Sequence, residues 1–449
     1  MRFGWLGRHE RHLEEYRRVK AEQSPCPGRA APEEYPPAPV EFGRARPLDG
    51  RNPAEPESRH PPAGDTDEAD ATRADMLTEK ARQLTRAGRA ADAASPARAA
   101  VRIQGALAAR DHPRHAPALV GGLRVFGAVL AAGRRSEDAV KVTARAVEHA
   151  RRLASADHRR HRPLLAEALR DLGVRLGDGG DEEGALAALR ESVQLFRTLA
   201  AQTPERHRTE LALSLDELAG RLAGVGTPED ALAMFTEAER LMGLGPAEER
   251  LAAVLLRHAT LLARLGRGPE AIARAADAVE VRRAYADADN APVGRRADEL
   301  AASLQSLGLL HSAGGSHDEA VDALEEAVRL RARRVRADPV SARRPEIPVT
   351  YALYGIVLVA AGRPADAVPP LAAALRVGTA LDLERVSDLA GDTLVRAHRA
   401  DPESVRNRWI AATGEELPAW IERGQRPLPS QTRRPPRLTD RQEALPVRD

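Results

Sequence analysis

An all-α solenoid of stacked helical hairpins is the fold class that the sequence predicts, on three observations. Alanines 93, 139, 185, 231, 271, 320 and 367 recur at spacings of 46, 46, 46, 40, 49 and 47 residues. A second small residue follows each by seven positions (Ala100, Ala146, Ser192, Ala238, Ala278, Ala327, Ala374), and a turn glycine precedes six of them. The composition, 43% hydrophobic and only 3% aromatic, suits a small-residue helical stack better than one aromatic-rich core.

The stretch Leu165–Gln202 displays the unit most clearly. Leu172-Gly173 sits within its first helix, Gly180 near the turn, and Ala185, Leu189 and Ser192 share one face of its second helix. Two helices approach to about 8–10 Å only where the crossing side chains are small. Alanine supplies that smallness without losing helix propensity, and glycine ends the first helix in the left-handed conformation. Leucines and valines three and four apart bury against the neighbouring repeat. One hairpin cannot bury its whole apolar face, so stacking is obligatory.

In chain order, residues 1–75 form a Pro- and acid-rich region expected to be disordered. Within it, 1–22 reads either as a short amphipathic helix or as a fraying tail, and the one cysteine, Cys26, as a bystander thiol. Seven hairpins are expected over 76–380. Pro96 is expected to break or kink the second helix of the first hairpin. The sequence GLGP at Gly243–Pro246 shortens one second helix and gives the 40-residue spacing, and AYADADNAPVG makes a longer loop. Residues 381–423 should close the stack, with Asp401 as N-cap, Pro402 at the first helical position, and Trp409, Ile410, Trp420 and Ile421 covering its end. The tail, 424–449, is Pro- and Arg-rich and expected to be flexible.

These residues resemble the tetratricopeptide repeat (TPR), which places Leu-Gly in the first helix, glycine at the turn and Ala-apolar-Ala on the second. Gly127, Gly173, Gly308 and Gly355 match the first-helix glycine, with Ala219 and Ala259 in its place elsewhere. The resemblance covers roughly 76–380 and departs in length, since the usual period is about 34 residues. It therefore points to a long-repeat bacterial variety. It implies a right-handed α-α superhelix and a non-catalytic scaffold that binds a protein or peptide. Because such repeats often stand beside signalling ATPase or caspase-like modules, the alternative is a regulatory sensor subunit. That subunit would hold a small ligand or peptide and control a separate ATPase, protease or transcription factor. It would show a ligand-induced rise in melting temperature without any protein partner.

Catalytic constellations are missing from the sequence. No Gly-Lys pair exists to begin a phosphate loop, and no HExxH or paired CxxC suggests zinc. No enzyme activity, cofactor or metal is expected. A formal net charge of +2 gives no global field for nucleic acid, so nucleic acid is an unlikely partner. No run of about 18 apolar residues suggests a membrane span, and no apolar core marks a signal peptide. A cytoplasmic location is the expectation, and the oligomeric state stays open.

Two surfaces are candidate binding sites. The first is a basic edge in the loops between repeats. It comprises Arg114-His115, Arg160-His161-Arg162 and Arg206-His207-Arg208 in the 46-residue register, then Arg295-Arg296 and Arg343-Arg344. Arginine at a helix start opposes the macrodipole, so these residues read either as caps on the preceding helix, with histidine in a corner slot, or as an edge attracting an acidic partner. The second is the concave groove. By the resemblance its contact positions map to Arg82, Arg86, Arg124, Glu167, Arg170, Asp216, Leu256, Gln305, Leu309, Val349 and Ile356. They change from charged to apolar along the chain.

Overall fold

The computed structural model describes residues 63–243, 248–287 and 294–424, which form seventeen α-helices, one short 3-10 segment and, among the described residues, no strand. The expected 1–22 helix, Cys26, most of the 1–75 region, the heart of GLGP, most of AYADADNAPVG and the 425–449 tail lie outside these residues.

The chain divides into two compact units at Gly179 and Gly180. The first contains α1 (Ala63–Arg86), α2 (Ala90–Arg110), α3 (His112–Ala132), α4 (Ser136–Ala156) and α5 (His158–Asp178). Each packs on the next, and α1 also meets α3 as α3 meets α5. The second begins with α6 (Glu182–Gln202), α7 (Pro204–Gly224), α8 (Pro228–Met242), α9 (Glu248–Arg264) and α10 (Gly268–Asp287). It continues with α11 (Arg295–Gly314), α12 (His317–Ala337), the 3-10 segment Pro339–Arg343, α13 (Glu346–Ala360) and α14 (Val368–Ala380). The last helices are α15 (Glu384–Ala400), α16 (Pro402–Thr413) and α17 (Ala419–Glu422). First helices again meet one another, α7 with α9, α9 with α11 and α11 with α13. Contact with the next helix and the next but one is the packing rule of an all-α solenoid.

All seven anchor alanines are 0% exposed. Their crossings explain the first-helix glycines: a Cβ at Gly308 of α11 would stand 2.9 Å from Leu324 Cγ and 3.1 Å from the Ala320 carbonyl oxygen of α12. The two backbones touch at the anchor, and no larger residue fits without moving one of them. Gly88, Gly180, Gly226, Gly266, Gly315 and Gly362 all have φ between 74° and 90°, the left-handed stop that frees the chain to reverse. The second hairpin lacks this glycine, and Arg134 adopts φ 61° there.

Several expectations need correcting. The first helix starts at Ala63, not near residue 76. Its early turns are rich in acids, which favour a helix start, and Asp67 ion-pairs with Arg110 of α2. Pro96 does not break α2, which runs unbroken from Ala90 to Arg110. The carbonyl deprived of a partner belongs to Asp92, in the exposed first turn where water can serve it. Helix α3 is long and apolar enough to cross a bilayer by length and composition, yet half of that stretch is buried, as befits an inner helix packed on α2 and α4. At the end of the chain Asp401 accepts from Ser404 N–H at 3.0 Å and Pro402 opens α16. Trp409, Trp420 and Ile421 are buried, whereas Ile410 is 45% exposed and covers nothing. A step of 100° along α16 carries Ile410 off the side on which Trp409 is buried.

Candidate interaction surfaces

Many groove positions serve the protein's own packing. In the first unit Arg82 is exposed and ion-pairs within its helix to Glu79 at 2.5 Å, and Arg86 is exposed in the last turn of α1. Arg124 of α3 reaches two carboxylates of α5, Glu167 and, at 2.6 Å, Asp171. Burial opposes its charge, but the two carboxylates outweigh burial and raise the proton affinity of the guanidinium. Arg170 is half-buried beside them on α5.

In the second unit Asp216 of α7 is 7% exposed. One oxygen accepts from Arg257 of α9 at 2.7 Å, and the other is buried without a partner. Burial pushes its carboxyl up to about 6; Arg257 opposes this and Glu217 adds to it. Arg257 lies 5.9 Å over the Phe235 ring. Beside it His258 stacks on Phe235 at 5.6 Å, and its Nδ1 meets Glu239 Oε1 of α8 at 2.7 Å. Glu239 also faces Arg274 of α10 at 3.6 Å. A histidine with an acid partner is a catalytic element when a nucleophile is hydrogen-bonded to its other nitrogen. No hydroxyl or thiol takes that role among the described residues. The pair fastens α8 to α9.

The later groove positions turn inward. Leu309 is 3% exposed in the core, Val349 and Ile356 pack on that core, and Leu256 packs beside Ala252 and Leu255. Gln305 Oε1 accepts from the Thr350 hydroxyl at 2.8 Å, joining α11 to α13.

Most of the basic edge lies at helix starts and not in loops; the exceptions are Arg343, which ends the 3-10 segment, and Arg344, in the loop before α13. Arg114, Arg160 and Arg206 hold the same place in α3, α5 and α7, where Asp111 and Asp157 cap the first two helices through the backbone N–H groups of Arg114 and Arg160. His115, His161 and His207 are buried at 9%, 9% and 6% exposure, and His207 faces Phe196 with ring centres 6.5 Å apart. They are corner residues of the core. The guanidinium groups of Arg114, Arg160 and Arg206 are exposed and, among the described residues, have no partner. Arg162 contacts His158, and Arg208 is half-buried. Arg295 and Arg344 are tied to acids, Glu299 at 3.6 Å and Asp298 at 3.0 Å. Arg296 is half-buried and Arg343 exposed.

The sequence-derived groove left out Asp171, Glu239, Arg257 and His258. A signal for two of them was present: Arg124 with Asp171, and Asp216 with Arg257, are opposite charges about one repeat apart.

Comparison with known proteins gives partial likenesses. The family model for anaphase-promoting complex subunit 5 matches residues 205–293 and 289–336, less than half of the chain. The repeats are tetratricopeptide-like. Comparison with curated protein sequences gives no match. Among solved structures, BtubC (BKLC) from P. vanneervenii is 20% identical over 63% of this chain and 94% of its own, with TM-score 0.42. A tetratricopeptide repeat protein from Parabacteroides merdae is 13% identical over 71% and 99%, with TM-score 0.38. The Cut9–Hcn1 hetero-tetramer of the APC/C gives 15% over 72% and 55%, with TM-score 0.40. With scores below 0.5, these likenesses carry no weight for function.

Proposed function

We propose that this TPR-like chain is a non-catalytic interaction module whose stacked hairpins hold a protein or peptide. The observation that supports this reading most directly is the recurrence of Arg114, Arg160 and Arg206. Each stands in a first helical turn, exposed and without a partner among the described residues. A cation there costs about 0.3–1 kcal/mol against the macrodipole. The cap carboxylates Asp111 and Asp157 and the first-turn Glu205 stand at these helix starts without pairing with the guanidinium groups, which leaves the cations to an acidic external partner. The inward groove residues argue in the same direction, because the ion pairs of Arg124 and Asp216 already occupy the charges that a groove ligand would need.

The test is recovery of partners from the native host, using the full chain and R114E/R160E/R206E. Co-purification of a protein with the intact chain and its loss from the variant is the expected result. Equal recovery by both refutes a role for these three arginines, and recovery of nothing by either refutes the interaction module.

A further inference from the structure

Residues 90–179 carry 16 Lys and Arg against 9 Asp and Glu, a basic excess larger than that of the whole chain. The acids are mostly engaged. Asp92 and Asp138 pair with Arg89 and Arg135, Asp178 with Arg175, and Glu167 and Asp171 with Arg124, while Asp111 and Asp157 cap helices. Three of the unneutralised cations stand together on α4. Lys141, Arg145, His149 and Arg152 recur at four-, four- and three-residue intervals, so they share one face over about 16 Å of helix. Lys141, Arg145 and Arg152 are exposed and, among the described residues, have no ion-pair partner.

The first turn of α3 joins this face. His112 Nε2 lies 3.2 Å from His149 Nδ1, with the rings stacked at 5.5 Å, and Arg114 follows two residues later. Glu148 is the acid set among these cations. The local field is positive: burial first, then His112, Arg152 and Arg145, hold the His149 imidazole below its ordinary proton affinity.

The geometry points to the outer face of α4, with Lys141, Arg145 and Arg152 as its cations, as the docking surface for an acidic helix of a protein partner. This rests on the interaction-module reading and gives the partner its chemistry. Glutamates four apart on a helix stand about 6 Å apart, the same interval as Lys141 and Arg145. A phosphate backbone is the poorer fit, because Glu148 sits in the midst of these cations and the His112 and His149 rings are stacked on each other.

The experiment uses the full chain and a labelled helical peptide of about 20 residues with glutamates four apart, read by fluorescence anisotropy. Replacing three cations, each worth a factor of about 1.5 to 5, in K141Q/R145Q/R152Q should weaken binding about tenfold. R190Q/R240Q/R408Q, an equal loss of charge elsewhere, should leave it unchanged. Binding should also weaken between about 0.01 M and 0.15 M salt, as the screening length falls from about 30 Å to 8 Å. K141E/R145E/R152E should gain affinity for a peptide with lysines in place of the glutamates. Equal weakening by both glutamine variants overturns the site. So does a DNA duplex that binds as tightly as the peptide and is lost in the same variant, which would make the face a phosphate reader. Tighter peptide binding by E33Q/E34Q/E41Q/E55Q/E57Q would assign the face to the chain's own N-terminal segment and overturn the trans partner. A clean peptide result with no host protein recovered would retain the face and refute the broader reading alone.

Discussion

Asp216→Asn should stabilise the second unit at neutral pH, although it removes half of an ion pair. In the folded chain the Asp216 carboxyl is pushed up to about 6 from its ordinary 3.8. A group whose folded pKa is raised contributes stability at low pH and loses it as pH rises. Below 3.8 the acid is neutral in both states. Through 6 the folded state gives up a proton that it holds more tightly than the unfolded chain does. At pH 7 the full cost is present, about two pKa units or about 3 kcal/mol. Asparagine keeps the shape and an acceptor for Arg257 without the charge. It also places an N–H where the unpartnered oxygen stood, which costs about 1–3 kcal/mol if no acceptor meets it. The net expectation at pH 7.5 is a gain of up to about 2 kcal/mol, or up to about 8 °C in Tm for a unit of this size. The gain should vanish near pH 4. Circular dichroism melts of the full chain at both pH values measure it. A lower melting temperature for D216N at pH 7.5 would refute the reasoning, since the Arg257 bond would then outweigh burial. Arg257→Gln should act oppositely, leaving a buried carboxylate without its cation at a cost of about 3–5 kcal/mol.

Three further outcomes follow from the packing. Arg134→Gly should raise stability, because a left-handed non-glycine residue costs about 1–2 kcal/mol; a lower urea midpoint would contradict the turn geometry. Gly308→Ala should destabilise by about 1–3 kcal/mol through the Leu324 and Ala320 contacts, although alanine is the better helix former. Chemical denaturation decides which effect wins. Trp409→Ala should cost about 3–5 kcal/mol, since Trp409 is 1% exposed in the closing helices. Proteolysis after the substitution should begin in α16 and α17, and cleavage elsewhere first would show that these helices do not close the stack.

The fold was legible because its determinants are local and repeated. A crossing that admits only a small side chain leaves a trace at every repeat, and seven copies make the trace readable above an alanine-rich background. The left-handed turn leaves another, and Arg134 shows its limit: the backbone takes the same conformation at an unfavourable residue when its neighbours require it. Pro96 misled for a related reason. Its effect on a helix depends on whether the orphaned carbonyl faces solvent or core, and composition alone does not say which.

The candidate site was less legible because charge has no fixed meaning along a helix. Arg124, Arg160 and Arg145 read alike in the sequence, as arginines on amphipathic helices. In the structure the first is held by two carboxylates of the next-but-one helix, the second crowns a helix start, and the third stands on an outer face. What separates them is whether an acid one repeat away points back. Opposite charges offset by about one period, as at Arg124 with Asp171 and Asp216 with Arg257, mark cations and anions that the stack uses itself. Offset alone does not decide it: Glu191 stands one 46-residue period on from Arg145, yet Arg145 has no ion-pair partner among the described residues. A charge left without an ion pair is the one available to a partner, which makes the unanswered charges of a repeat, and not its charged groove positions as such, the place to look for binding.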